Sequence, residues 1–139
     1  MKPEGMTICA SGYGPKETAD RLAAAMKECG ITILARIDHA AAAAEVGMML
    51  RPTEVLIFGN PRAGTPLMQA VQTIGIDLPL KALVWQDEGG RTWLAYNDPK
   101  WLAERHNAVA GNDGLLAAMT DALVAVARAA TPPATADAT

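Results

Sequence analysis

The sequence predicts an α+β fold: a single domain with a mixed or antiparallel sheet and helices packed on one face. Three observations carry this. Short apolar runs such as Val55-Leu56-Ile57-Phe58 have strand length and alternate with alanine-rich segments of helical spacing. Two strands near residue 90 are joined by the hairpin turn Asp87-Glu88-Gly89-Gly90, which breaks the strict alternation of a doubly wound sheet. The chain has 139 residues, half of them hydrophobic, enough for one sizeable core. The domain is expected over 1–130. The Pro-, Ala- and Thr-rich stretch 131–139 is expected to be a disordered tail.

The elements follow in order. Residues 6–10 read as a first strand, broken by Gly12-Tyr13-Gly14-Pro15. Pro15 opens a helix with Glu17 in its first turn, where negative charge suits the helix dipole. Ala19, Leu22, Ala23 and Met26 form its apolar stripe, and Gly30 ends it. Ile31, Ile33, Ala35 and Ile37 alternate as a second strand. Asp38 caps a short helix over 40–45. A buried strand over 55–58 leads through Gly59-Asn60-Pro61-Arg62-Ala63-Gly64 into a helix with Thr65 as N-cap and Pro66 at its first position. Leu67, Ala70, Val71 and Ile74 form the buried face of that helix, and Gly75 closes it. Residues 81–86 and 91–96 form the hairpin, with Trp85 and Trp93 as cross-strand neighbours. Asp98 and Pro99 start a short helix, and Asn112-Asp113-Gly114 the last one.

The turn after the third strand is the natural place for an anion, because a strand that bends sharply into a helix leaves backbone N–H groups free. Gly59 and Gly64 have the spacing of a phosphate-binding loop. Thr65 and Pro66 stand where that motif needs Lys and Ser or Thr, so nucleotide hydrolysis is not indicated. A net charge of −3 argues against nucleic acid as a partner. No run has signal-peptide or transmembrane character, and Cys9 and Cys29 form no C-x-x-C pair. A soluble, cytoplasmic protein with no membrane partner is expected.

Several blocks together carry a resemblance to a known family. They are Ile37-Asp38-His39-Ala40, Leu50-Arg51-Pro52, Leu56-Ile57-Phe58-Gly59-Asn60-Pro61 with Gly64-Thr65-Pro66-Leu67-Met68, Asp77-Leu78-Pro79-Leu80-Lys81, and Tyr96-Asn97-Asp98-Pro99 leading to Arg105-His106. In this order they resemble the DUF302 family, over about residues 12–108. The resemblance implies an α+β fold and frequent homodimers. It implies no established activity, because the family is named for unknown function, and it leaves any cofactor unknown.

The candidate chemistry is sparse. His39 beside Asp38 suits an acid/base pair, or a side chain packed at a capped helix start. His39 and His106 would make a metal site only if they met in space with a third ligand such as Asp38, Asp98 or Glu45. Arg62 has the donor fork that grips a carboxylate or phosphate, or it is a solvated surface residue. The ligand-binding candidates are therefore His39, Asn60, Arg62, Gly64, Thr65 and Tyr96. Three readings stand: a homodimeric module that binds or senses a small anionic ligand at the Gly59–Thr65 turn and Asp38-His39, an enzyme using Asp38 and His39, and a structural or partner-binding domain.

Overall fold

The computed structural model describes residues 2–132. The expected tail beyond Pro132 lies outside the described residues. The elements run β1 (Met6–Ser11), α1 (Pro15–Glu28), β2 (Thr32–Asp38), α2 (His39–Glu45), β3 (Thr53–Gly59), α3 (Pro61–Ala70), a 3-10 turn (Gln72–Ile76), β4 (Leu80–Gln86), β5 (Thr92–Asn97), α4 (Pro99–Arg105) and α5 (Asp113–Ala130). Apart from the 3-10 turn, this is the order read from the sequence.

The five strands form one sheet in the order β1-β5-β4-β3-β2, and every neighbouring pair is antiparallel. β1 and β2 are consecutive in the chain yet occupy opposite edges. α1 spans the sheet between them. Its stripe of Ala19, Leu22 and Met26 is buried against Leu123 and Val126 of α5 and against the sheet. Leu56 and Phe58 of β3 point into this layer and are almost fully buried. Burial of one such side chain stabilises by roughly 1.5–3 kcal/mol. Arg36 fastens α1 to the sheet: its guanidinium donates to Glu54 at 2.7 Å and to Asp20 of α1 at 3.0 Å. A second cluster, with Leu67, Ile74, Ala103 and Leu116 at its centre, joins α3, the 3-10 turn, α4 and the start of α5.

The third helix differs from the expectation. It begins at Pro61, not Pro66. Asn60 is its N-cap, not Thr65, and Pro66 lies inside it. Both prolines fit a first helical position by sequence, and Asn60 decides between them because its side chain accepts the Arg62 N–H at 2.9 Å. The helix stops at Val71, which is extended, and Gly75 falls within the 3-10 turn instead of closing the helix. Gly64 is consequently a helical residue without positive φ, and an added Cβ would meet only Leu78 at 3.7 Å and Met68 at 3.8 Å. Gly59 also lacks a positive φ, so the turn needs neither glycine for its backbone. Gly64→Ala is expected to stabilise by about 0.5–1 kcal/mol, since alanine loses less backbone entropy in a helix. A denaturation midpoint lowered by this substitution would contradict the assignment.

Candidate functional site

Asp38 and His39 have the local structure expected of them. The Asp38 carboxylate accepts the Ala41 N–H at 2.9 Å and so caps α2. His39 is the first residue of that helix and is exposed. The remainder of the expected pocket is elsewhere. In the β2–β3 pair Asp38 lies opposite Glu54, and Thr32 lies opposite Gly59. The Asn60 turn follows Gly59, so it sits at the far end of β2 from His39. β2 has seven residues, a length of about 20 Å. Parallel pairing would have brought His39 to Asn60, Arg62, Gly64 and Thr65, and the antiparallel pairing separates them.

The Asn60 turn has also used its donors. Arg62 N–H is bonded to the Asn60 side chain, and the N–H groups of Ala63 and Gly64 both reach the Asn60 carbonyl at 2.9 Å. Pro61 has no N–H to offer. Arg62 itself is exposed and makes no ion pair among the described residues. Tyr96 is buried in the main core on β5, separated from β3 by β4. Burial pushes its phenol pKa up.

His106 ends α4 and is drawn into a polar cluster that the sequence did not indicate. Its Nε2 is 2.6 Å from Asp77 Oδ2, and its Nδ1 is 2.9 Å from Thr73 Oγ1. A carboxylate only accepts, so Nε2 carries the proton; in the neutral ring Nδ1 then accepts from the Thr73 hydroxyl. Arg105 donates to the same Asp77 oxygen at 2.8 Å. The cluster ties the 3-10 turn to the end of α4. Burial raises the Asp77 pKa, but the hydrogen bonds from His106 and Arg105 outweigh it and hold the carboxyl below its ordinary value. A depressed carboxyl pKa contributes stability at neutral pH that is lost as pH falls through the folded-state value. Asp77→Ala is therefore expected to cost about 2 kcal/mol at pH 7. The difference from wild type should fade as pH drops below about 4. A cost independent of pH would assign the loss to packing.

Among the described residues no three His, Cys, Asp or Glu side chains gather where they could hold a metal ion. His106 is engaged by Thr73 and Asp77. Asp38 caps α2, Asp98 accepts the Thr7 hydroxyl, and Glu45 is exposed at the end of α2.

A further feature is the side of the sheet away from α1 and α5. Because side chains alternate along a strand, Val55 and Ile57 point there when Leu56 and Phe58 point to the helices. The registers place Ile37, Val55, Leu83, Ala95 and Ile8 in one row across all five strands. Trp85 and Trp93 lie opposite each other in the next row, as expected. None of these side chains belongs to either buried cluster. The uninterrupted apolar run 55–58 is the sequence signal for a strand apolar on both faces.

The sequence profile described as a domain of unknown function, DUF302, matches residues 8–129. The chain belongs to the DUF302 family. A crystal structure of an uncharacterized conserved DUF302 protein from Bacillus stearothermophilus has the same fold. It superposes with a TM-score of 0.81 at 22% identity, covering 92% of this chain and 99% of that one. Two curated relatives of this DUF302 chain are larger. The protein named "Fluoride-specific ion channel FluC 1" of Brucella suis biovar 1 (strain 1330) is 47% identical over 115 residues, which are 83% of this chain and 45% of that protein. Its namesake from Brucella abortus biovar 1 (strain 9-941) is also 47% identical over 115 residues, 43% of its length. The chain spans less than half of these relatives. No described helix of the DUF302 domain is long and apolar enough to cross a membrane.

Proposed function

We propose that this DUF302 domain is a self-associating module whose homodimer forms through the sheet face opposite α1 and α5. The observation that carries the reading is the apolar row Ile37, Val55, Leu83, Ala95 and Ile8, with Trp85 and Trp93 beside it, on the face away from α1 and α5; apart from Ala95, which is 2% exposed, each of these side chains keeps part of its surface in solvent. The solvated face of an antiparallel sheet is commonly polar, and this one is apolar. Five strands spaced about 4.8 Å and about 20 Å long give a footprint of roughly 500 Å² per copy. Two copies bury roughly 1,000 Å², which reaches the size of a specific interface. A second copy is the fitting occupant because the row is itself apolar throughout and so complements its own image about a two-fold axis. The loop from α2 to β3 adds apolar surface at the same end of the sheet: Val46 is 71% and Met49 100% exposed.

The relatives named as fluoride channels suggest a use for such a module. In a longer protein, pairing of this domain would hold two copies of the remaining chain together. The two cysteines are free, which suits the reducing cytoplasm. Sedimentation equilibrium at micromolar concentration tests the reading: twice the monomer mass supports it, and the monomer mass refutes it.

A further inference from the structure

The geometry points to a binding site for a small organic oxyanion, a carboxylate or a phosphate ester, in the cavity between the N-terminus of α1 and the open end of strands β1, β5 and β4. The inference is independent of how copies pair.

The cavity begins with the sheet. Ser11, Thr92 and Gln86 are register partners on three adjacent strands, and they point to the same side as Leu94 and Val84. Here an apolar face ends in a polar row. Ser11 is occupied: its hydroxyl pairs with Thr18 at 2.7 Å and accepts the Tyr13 N–H at 3.1 Å. Thr92 is not. It is only 4% exposed, it lines the cavity, and its side chain makes no hydrogen bond among the described residues. The hydroxyl oxygen itself is not sealed off, since among the described residues no fully buried side-chain polar atom lacks a partner; it opens onto the cavity.

The opposite wall is the loop Gly12-Tyr13-Gly14, which leads into a helix start. α1 has 14 residues, its N-cap is Gly14, and no side chain caps it. Pro15 supplies no N–H, and the N–H groups of Gly14, Lys16 and Glu17 have no acceptor among the described residues. This is the reverse of α3, whose first N–H groups are all taken by Asn60. Free N–H groups and the positive end of the helix dipole favour an anion.

Among the described residues no carboxylate lines the cavity; its one charged lining residue is Arg91, whose guanidinium stacks over the Trp93 ring at 4.8 Å to the centroid. Glu17, at the same helix end, is held by Arg21 at 2.8 Å. Gln86 donates its amide N–H to the Gly90 carbonyl and keeps its oxygen free for a hydroxyl of the ligand. The cavity of about 710 Å³ exceeds the needs of a monatomic ion and suits a small organic molecule.

The test is an NMR titration of the full chain with phenyl phosphate, benzoate and, as the uncharged comparison, benzamide. Binding predicts saturable shifts of the Gly14, Lys16, Glu17 and Thr92 amides with one or both anions and not with benzamide. The stronger anion identifies the ligand class. Thr92→Val should weaken binding about tenfold by removing one hydrogen bond, and Thr92→Ser should restore it. The absence of saturable shifts with both anions at 10 mM (roughly the weak limit for a useful ligand) would overturn the inference. So would equal shifts with benzamide, or an affinity unmoved by Thr92→Val.

Discussion

Leu83→Glu should leave the protein monomeric at micromolar concentration, while the wild type should sediment as the proposed dimer. Leu83 lies on β4, the middle strand of the sheet, at the centre of the row that runs from Ile37 to Ile8. It is half-buried in the single chain, so a glutamate there can still reach water, and the fold should survive. In the dimer the same carboxylate would be trapped in an apolar interface and close to its symmetry mate. An unpaired charge in such a setting costs at least about 3 kcal/mol, which raises Kd by more than about a hundredfold. Thermal melts should show both proteins folded. A variant that stays dimeric would place the interface elsewhere.

The fold was legible because local signals agreed. Pro15, Asp38 and Pro99 each opened a helix where the structure has one, and the Asp87–Gly90 turn joined β4 to β5. These are short-range effects of φ restriction, capping and hairpin geometry. The start of α3 is ambiguous in the sequence because Pro61 and Pro66 satisfy the same rule, and only the Asn60 side chain distinguishes them.

The candidate site was far less legible. Strand direction decided it. His39 and the Asn60 turn do follow neighbouring strands, but those strands run in opposite senses. No single residue in β2 or β3 encodes that sense; the whole meander of the sheet fixes it. The His106 cluster needed Asp77 and Thr73, about thirty residues away, to converge on one ring. The polar row Ser11, Thr92 and Gln86 similarly exists only once three strands are in register. Loop composition hinted at this place, since Gly12-Tyr13-Gly14 precedes α1 without a capping side chain.

Gly5→Ala should be among the most damaging small substitutions in the chain. Gly5 has φ of +75°, and its carbonyl accepts the Asp98 N–H at 2.8 Å, which fixes the chain just before β1. A Cβ built there would lie 2.1 Å from Cδ2 and 2.3 Å from Cγ of Trp101. The indole therefore packs directly on the glycine, and α4 rests on the start of β1 through this contact. Gly30 provides the comparison. It has the same φ of +75°, but no atom lies within 4 Å of its Cβ position. Gly30→Ala should cost only the left-handed backbone strain, about 1 kcal/mol. Gly5→Ala adds the displacement of a large, stiff ring, roughly 2 kcal/mol more. At about 3 kcal/mol in total, the melting temperature should fall by roughly 10 °C, against about 3 °C for Gly30→Ala. Trp101→Ala removes the ring and destabilises by itself, but in that background Gly5→Ala should cost no more than Gly30→Ala does. Equal losses for the two glycines in the wild-type background would show that Trp101 yields freely and that the contact does not hold α4 in place.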